Sequence, residues 1–221
     1  MAPQRLCTGR GNIQMSSDDI SRFSSTLERA IEDFGLEALT AAQLDLLVRH
    51  YAMVCKWNRH INLTRITKPA EAARLHYAES MFGGLFLGAA RSVLDLGSGA
   101  GFPAVPLAVL RSDVSVTALE ASQKKALFLN EAKDALDLSN FSVVRARLEG
   151  FDWKTYDLLT CRALDRAEEI LAPVASRLKP GQRLMLYCAP ELVETLPGEY
   201  ATEVHRIPRS ENRVVAILSK L

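Results

Sequence analysis

From Ser16 onward, apolar residues recur at steps of three and four: Ile20, Phe23, Leu27, Ile31 and Phe34. That spacing lines one face of a helix. Ser16, Ser17 and Asp18 offer acceptors for its first free amides, and Gly35 marks its end. A second helix is predicted after Thr40. It runs to about Trp57 with Leu44, Leu47, Val48, Tyr51, Val54 and Cys55 on its apolar side. Asn58 to Lys68 reads as a loop. A third helix follows Pro69, which suits a first helical turn, and carries Ala72, Ala73, Leu75 and His76.

Near Ala90 the pattern changes. Short apolar runs at 92–97, 115–120, 141–146, 156–163 and 183–189 alternate with helical stretches at 103–110, 123–136 and 167–178. Strands separated by helices imply a parallel sheet covered on both faces. Two last strands, 201–207 and 213–219, have no helix-length segment between them and are expected to pair as an antiparallel hairpin. The expected fold is α/β: a doubly wound, mostly parallel seven-stranded sheet with an N-terminal helical cap. Residues 1–15 are expected to be a mobile leader, with Met15 an alternative start. Residues 16–90 form the helical region and 91–221 the sheet domain.

Composition narrows the function classes. The chain has 221 residues, 48% hydrophobic and 24% charged, as in ordinary globular proteins. No apolar stretch approaches the roughly 20 residues that a bilayer helix needs, and the N-terminus lacks the apolar core of a secretory signal. Cys7, Cys55, Cys161 and Cys188 form no C-x-x-C pair, so free thiols in a reducing cytoplasm are expected, with Cys161 and Cys188 buried. The histidines are scattered, so no metal is expected. Net charge is +1, and neither part departs from neutrality: 10 basic and 9 acidic residues up to Ala90, 17 of each beyond. Only between Arg49 and Arg74 do six basic residues meet a single acid, Glu71. Such a local excess suits phosphate contacts, whereas the neutral total argues against indiscriminate nucleic-acid binding.

The segment that carries chemistry is Leu94-Asp95-Leu96-Gly97-Ser98-Gly99-Ala100-Gly101-Phe102-Pro103. A strand runs through closely spaced glycines into a helix, and glycines let a backbone approach a ligand closely. The dinucleotide fingerprint needs its third glycine one residue later, where Phe102 stands. Glu120 closes the next strand, where a carboxylate accepts from ribose hydroxyls. The pattern reads as a nucleoside site without a pyrophosphate, and S-adenosylmethionine is such a ligand. A plain glycine turn and a dinucleotide site are the alternatives.

Several stretches together resemble the ribosomal small-subunit guanine-N7 methyltransferase G family, also called glucose-inhibited division protein B. They are KWNRHINLT (56–64), RLHYAES (74–80), LDLGSGAGFPAVP (94–106), LEASQKKALFL (119–129), RLE (147–149), CRA (161–163) and NRVVAIL (212–218). Departures are Ala104 for a usual glycine, Glu79 for aspartate and Tyr187-Cys188 for lysine-glycine. The last removes a positive charge from the neighbourhood of the site.

The resemblance implies a class I, Rossmann-like methyltransferase that moves a methyl group from S-adenosylmethionine to N7 of a guanine in 16S ribosomal RNA. It implies a cofactor set of Asp95, Gly97, Ser98, Gly99, Gly101, Phe102, Glu120, Leu148, Glu149 and Arg162. It implies a catalytic set of Arg162, Arg147, Asn62 and His76. For Asn62, His76 and Ser80 the alternative is a polar network that holds the cap, and for Arg162 an ion pair. Trp57 belongs to the core or stacks on a base; Lys124 and Lys125 meet solvent or phosphate. The expected partner is small-subunit RNA or its particle, with no membrane and the enzyme a monomer. Alternatives are a same-fold methyltransferase acting on a protein or small molecule, and a non-catalytic ribosome-binding module.

Overall fold

The computed structural model describes residues 15–162, 167–196 and 200–220. The predicted leader lies almost entirely outside them. Helix α1 (Ser17–Asp33) begins where the Ser16 hydroxyl accepts from the Asp19 amide at 3.1 Å. Helix α2 (Ala41–Trp57) carries a reciprocal cap: the Thr40 hydroxyl accepts from the Gln43 amide, and the Gln43 side chain accepts from the Thr40 amide. Their apolar faces bury Phe23, Leu27 and Ile31 against Leu47, Tyr51 and Val54. Phe23 stacks on Tyr51 at 4.4 Å and meets the edge of Tyr77 at 4.9 Å.

The third helical segment is longer than predicted. Helix α3 (Pro69–Ala72) passes into a π turn (Ala73–Ala78), then α4 (Glu79–Gly83) and a 3-10 turn (Gly84–Phe86). Beyond His76 the segment is buried almost all round, from Tyr77 to Gly83. A helix with no polar face shows no stripe, so the alternation of residues does not reveal it.

Seven strands make one sheet in the order β3-β2-β1-β4-β5-β7-β6. They are β1 (Ser92–Leu96), β2 (Ser115–Leu119), β3 (Phe141–Val144), β4 (Leu158–Arg162), β5 (Arg183–Cys188), β6 (Tyr200–Arg206) and β7 (Val214–Lys220). The first five run parallel; β7 is antiparallel to both β5 and β6. The terminal hairpin is therefore present, with β7 on its inner side. Helices α5 (Ala104–Leu110), α6 (Gln123–Leu136), α7 (Ala167–Ala175) and α8 (Pro190–Thr195) complete the fold; α8 was not predicted. Because β2 and β4 flank β1, the order of successive strands reverses there, and a crevice opens at the strand C-termini.

Two apolar clusters cover the two faces of the sheet. One runs from α1 and α2 through Tyr77 and Met81 to Val93, Val116, Phe141 and Met185. The other gathers Leu94, Leu159, Leu171 and Leu184. Cys161 is buried as expected, whereas Cys188, at the end of β5, is only partly buried. Among the described residues, no helix is long and apolar enough to cross a membrane.

One contact joins the helical region to the sheet with little tolerance. The Tyr187 hydroxyl donates to the Ser80 carbonyl at 2.8 Å. A Cβ on Gly83 would stand 1.9 Å from that hydroxyl. Gly83→Ala is expected to destabilise the fold by about 1–3 kcal/mol, as overpacking does, and by less than half as much in a Tyr187→Leu background. Equal costs in both backgrounds, measured by urea denaturation, would contradict the contact.

Candidate functional site

The glycine loop leaves β1 under tight backbone control. The Gly97 and Ser98 amides both donate to the Leu119 carbonyl, at 2.9 and 3.2 Å, and the Gly101 amide donates to the Ser98 carbonyl at 2.7 Å. Gly101 has φ +85°, and a Cβ there would lie 2.8 Å from Val105 Cγ2, so only glycine fits. Phe102 is buried beneath the loop, stacked on the His76 ring at 4.5 Å. Glu120 spans the loop from the end of β2. Its carboxylate accepts from the Gly99 amide at 2.9 Å and the Ser122 amide at 2.8 Å. Asp95 is fully buried; one oxygen accepts from the Thr160 hydroxyl at 2.9 Å, and Oδ2 has no partner among the described residues. Burial pushes the Asp95 carboxyl up to about 7.

Two cavities meet at this loop. The first, about 230 Å³, is lined by Leu96, Gly97, Leu119, Arg147, Leu148 and Glu149 among others. The second, about 280 Å³, lies on the other side of Gly97, between the loop and Thr64, Ile66, His76, Lys125 and Arg162. Gly97 lines both. Of the predicted residues, Gly97, Arg147, Leu148 and Glu149 thus line the first cavity, and Gly97, Ser98, Gly99, Phe102, His76 and Arg162 the second. Asp95, Gly101 and Glu120 support the loop between them. Asn62 is exposed and lines neither.

Arg162 is not a free guanidinium at the mouth. Its side chain is 11% exposed, and it pairs with the buried Glu79 at 3.0 Å. It also donates to the Leu75 and His76 carbonyls and, at 3.3 Å, to the Ser80 hydroxyl. Arg162 is thus ion-paired, but in a buried pair beside the cavity and not in the surface pair of the alternative reading. Ser80 belongs to this network.

The roof of the second cavity depends on Asn58, which pattern reading left inside an undivided loop. Its Oδ1 accepts from the Leu63 and Thr64 amides at 2.8 and 2.9 Å, and its amide donates to the Thr64 carbonyl at 2.9 Å. The Thr64 hydroxyl meets His76 Nε2 at 2.8 Å and accepts from the Ile66 amide at 3.0 Å. The Asn58 bonds reach five and six residues along the chain, so no local turn signal announces them. Trp57 packs on Phe128 and donates to Glu131 at 3.1 Å, a structural placement. Lys124 is exposed, whereas Lys125 reaches the second cavity. Among the described residues, no three His, Cys, Asp or Glu cluster as a metal site.

With this geometry in place, the family model described as rRNA small subunit methyltransferase G matches residues 43–207. The chain belongs to this family. It is 36% identical over 187 residues to the Ribosomal RNA small subunit methyltransferase G of Xanthomonas euvesicatoria, covering 82% of this chain and 86% of that one. It is 40% identical over 158 residues to the same-named protein of Solibacter usitatus, covering 70% and 74%. Among solved structures, an O-methyltransferase of Bacillus cereus in complex with SAH superposes with a TM-score of 0.57 at 14% identity, over 91% of this chain and 100% of that one. A tRNA methyltransferase of Aquifex aeolicus gives 0.52 at 17% identity, over 65% and 68%. These show the fold, that of class I methyltransferases. The protein is an enzyme, an rRNA small-subunit methyltransferase whose cofactor is S-adenosylmethionine.

The buried ionisable groups predict a pH response. Burial lowers both imidazoles, His50 and His76, to about 3, with Arg162 adding to the effect at His76. Ordinary values are near 6.5 for His and 3.9 for Asp. Below about pH 6.5 the unfolded chain gains protons on these histidines that the folded chain does not, so stability falls as pH falls. Asp95, raised to about 7, and Glu79, also raised by burial, act in the opposite sense and offset part of the loss. From pH 7 to 5 the net loss expected in urea denaturation is at most on the order of 1–2 kcal/mol. A rise on acidification would contradict the neutral buried imidazoles.

Proposed function

We propose that this enzyme methylates N7 of one guanine in 16S ribosomal RNA, acting as a monomer in the cytoplasm on the RNA or its ribonucleoprotein particle. The observation that supports this reading best is the pair of cavities meeting at Gly97, one suited to a nucleoside and one lined by His76, Lys125 and Arg162. Residues 91–221 are read as the methyltransferase domain and 16–90 as its cap.

The residues present fit the cofactor. Leu96, Leu119, Leu148 and Ile170 offer apolar walls for a flat purine, with Glu149 at their polar edge. Glu120, already held by two amides, has acceptor capacity left for ribose hydroxyls. Asp95, fully buried under the loop, supports it from below and does not reach the ligand. When bound, S-adenosylmethionine supplies an electrophilic methyl group.

Guanine N7 has an in-plane lone pair and needs no deprotonation, so the residues around the second cavity need not supply a general base. Their work is to position the base and exclude water. Lys125 offers a donor from the cavity wall, and Arg162, its terminal N–H groups already engaged, adds positive charge beside it; a donor to guanine O6 leaves N7 free. His76, held neutral, fixes Thr64 and the roof. Arg147, Asn62 and the exposed Lys56, Arg59, Arg65 and Arg74 are assigned to RNA contacts around the mouth.

The test is methyl transfer from labelled S-adenosylmethionine to small subunits and to free 16S RNA, with the product mapped for N7-methylguanine. One labelled guanine is expected. Glu120→Ala is expected to lose both transfer and the thermal shift induced by S-adenosylhomocysteine. Cofactor binding without transfer to either RNA substrate would reject the acceptor assignment.

A further inference from the structure

The network behind Arg162 has a centre that the assigned roles leave out. Glu79 is 2% exposed and holds two guanidiniums, Arg162 at 3.0 Å and Arg213 at 2.6 Å. Burial pushes its carboxyl up, against the pull of both arginines. Glu79 follows the π turn directly, Arg162 ends β4, and Arg213 precedes β7. One carboxylate therefore ties the helical segment to two strands.

The consequences run to the site. Arg162, oriented by Glu79, donates to the Leu75 and His76 carbonyls. These carbonyls belong to the π turn, where the ordinary α-helical pairing is displaced. The π turn sets the His76 ring, which meets both the Thr64 hydroxyl and the face of Phe102. Thr64 and Phe102 both line the second cavity. The Tyr187 ring lies 5.8 Å from the Arg162 guanidinium, closing off the far side of the pair.

We propose that Glu79 is a positioning residue for methyl transfer: with Arg213, it sets Arg162 and the π turn, and through His76 it sets the roof over the acceptor base. The claim rests on the acceptor reading of the second cavity, but its structural half can be judged separately. A roof displaced by about 1 Å lowers turnover severely without touching the nucleoside cavity.

The experiment compares wild type with Glu79→Gln, which keeps the shape and removes the charge, and Glu79→Asp, which keeps the charge. Assays are run well below each variant's unfolding temperature. For Glu79→Gln, kcat is expected to fall about tenfold or more, with S-adenosylhomocysteine affinity within about threefold of wild type. Hydrogen exchange at the Thr64 and Ile66 amides is expected to quicken about tenfold, while the amides of β1 and β2 keep their protection. Glu79→Asp is expected to recover most of kcat.

Unchanged exchange at Thr64 and Ile66, or unchanged kcat in a wild type that transfers methyl, would overturn the proposal. So would loss of protection and cofactor affinity across the whole molecule, which marks a purely structural residue. Should Glu79→Gln not fold, Arg213→Gln, which removes only the half-exposed outer arginine, is expected to give the same pattern at about threefold. Absence of transfer by wild type would reject the acceptor reading alone; the exchange data would still decide the coupling.

Discussion

The functional geometry depends on one buried ion pair. Arg162 stands at the C-terminal end of β4, where an open parallel sheet places its ligands, and it is held by Glu79 from the helical segment. Such pairs gain little net stability over apolar packing, yet removing one partner costs about 3–5 kcal/mol because the other charge is stranded. The pair therefore acts as a constraint more than as a source of stability. It allows one arrangement of cap on sheet, and that arrangement creates the second cavity.

Around this constraint the two halves of the molecule have different roles. The sheet and its glycine loop make a nucleoside cavity from Leu119, Gly97 and Leu148 with little help from the cap. The cap contributes Thr64, Ile66 and His76 to the other cavity, and without it that side of Gly97 would be open. His50 and His76 are held neutral by burial, so they serve as rigid hydrogen-bonding plates rather than proton carriers. This suits an acceptor nitrogen that already carries a free lone pair.

Much of this was legible in the chain. Period-3.6 stripes and short apolar runs placed most of the elements, because one-sided burial writes its period into the residues. The segment after His76 escaped because it is buried on every side, and the π turn escaped because it depends on carbonyls satisfied from β4. The loop residues Gly97, Gly99 and Gly101 and the acid Glu120 were visible because backbone clearance and a fixed carboxylate demand particular residue types. Asn58 stood in the motif at 56–64 without a role of its own, although its side chain organises the loop around Thr64. Arg162 was found, but its burial against Glu79 brings together residues 83 positions apart, which no local pattern reports. The neutral net charge is likewise resolved only locally: Arg65 and Lys125 reach the second cavity, while other cap cations such as Arg49 and Lys68 pair with neighbouring acids.

The two cavities share Gly97 in their walls and together make one site for cofactor and acceptor. A crystal structure of the complex with S-adenosylhomocysteine tests it most directly. The adenine is expected between Leu119 and Leu148, the ribose hydroxyls on Glu120, and the sulfur at Gly97 facing the cavity of His76 and Arg162. A ligand seated instead in the neighbouring groove of Trp153 and Arg177, or with its sulfur turned away from Arg162, would contradict the account.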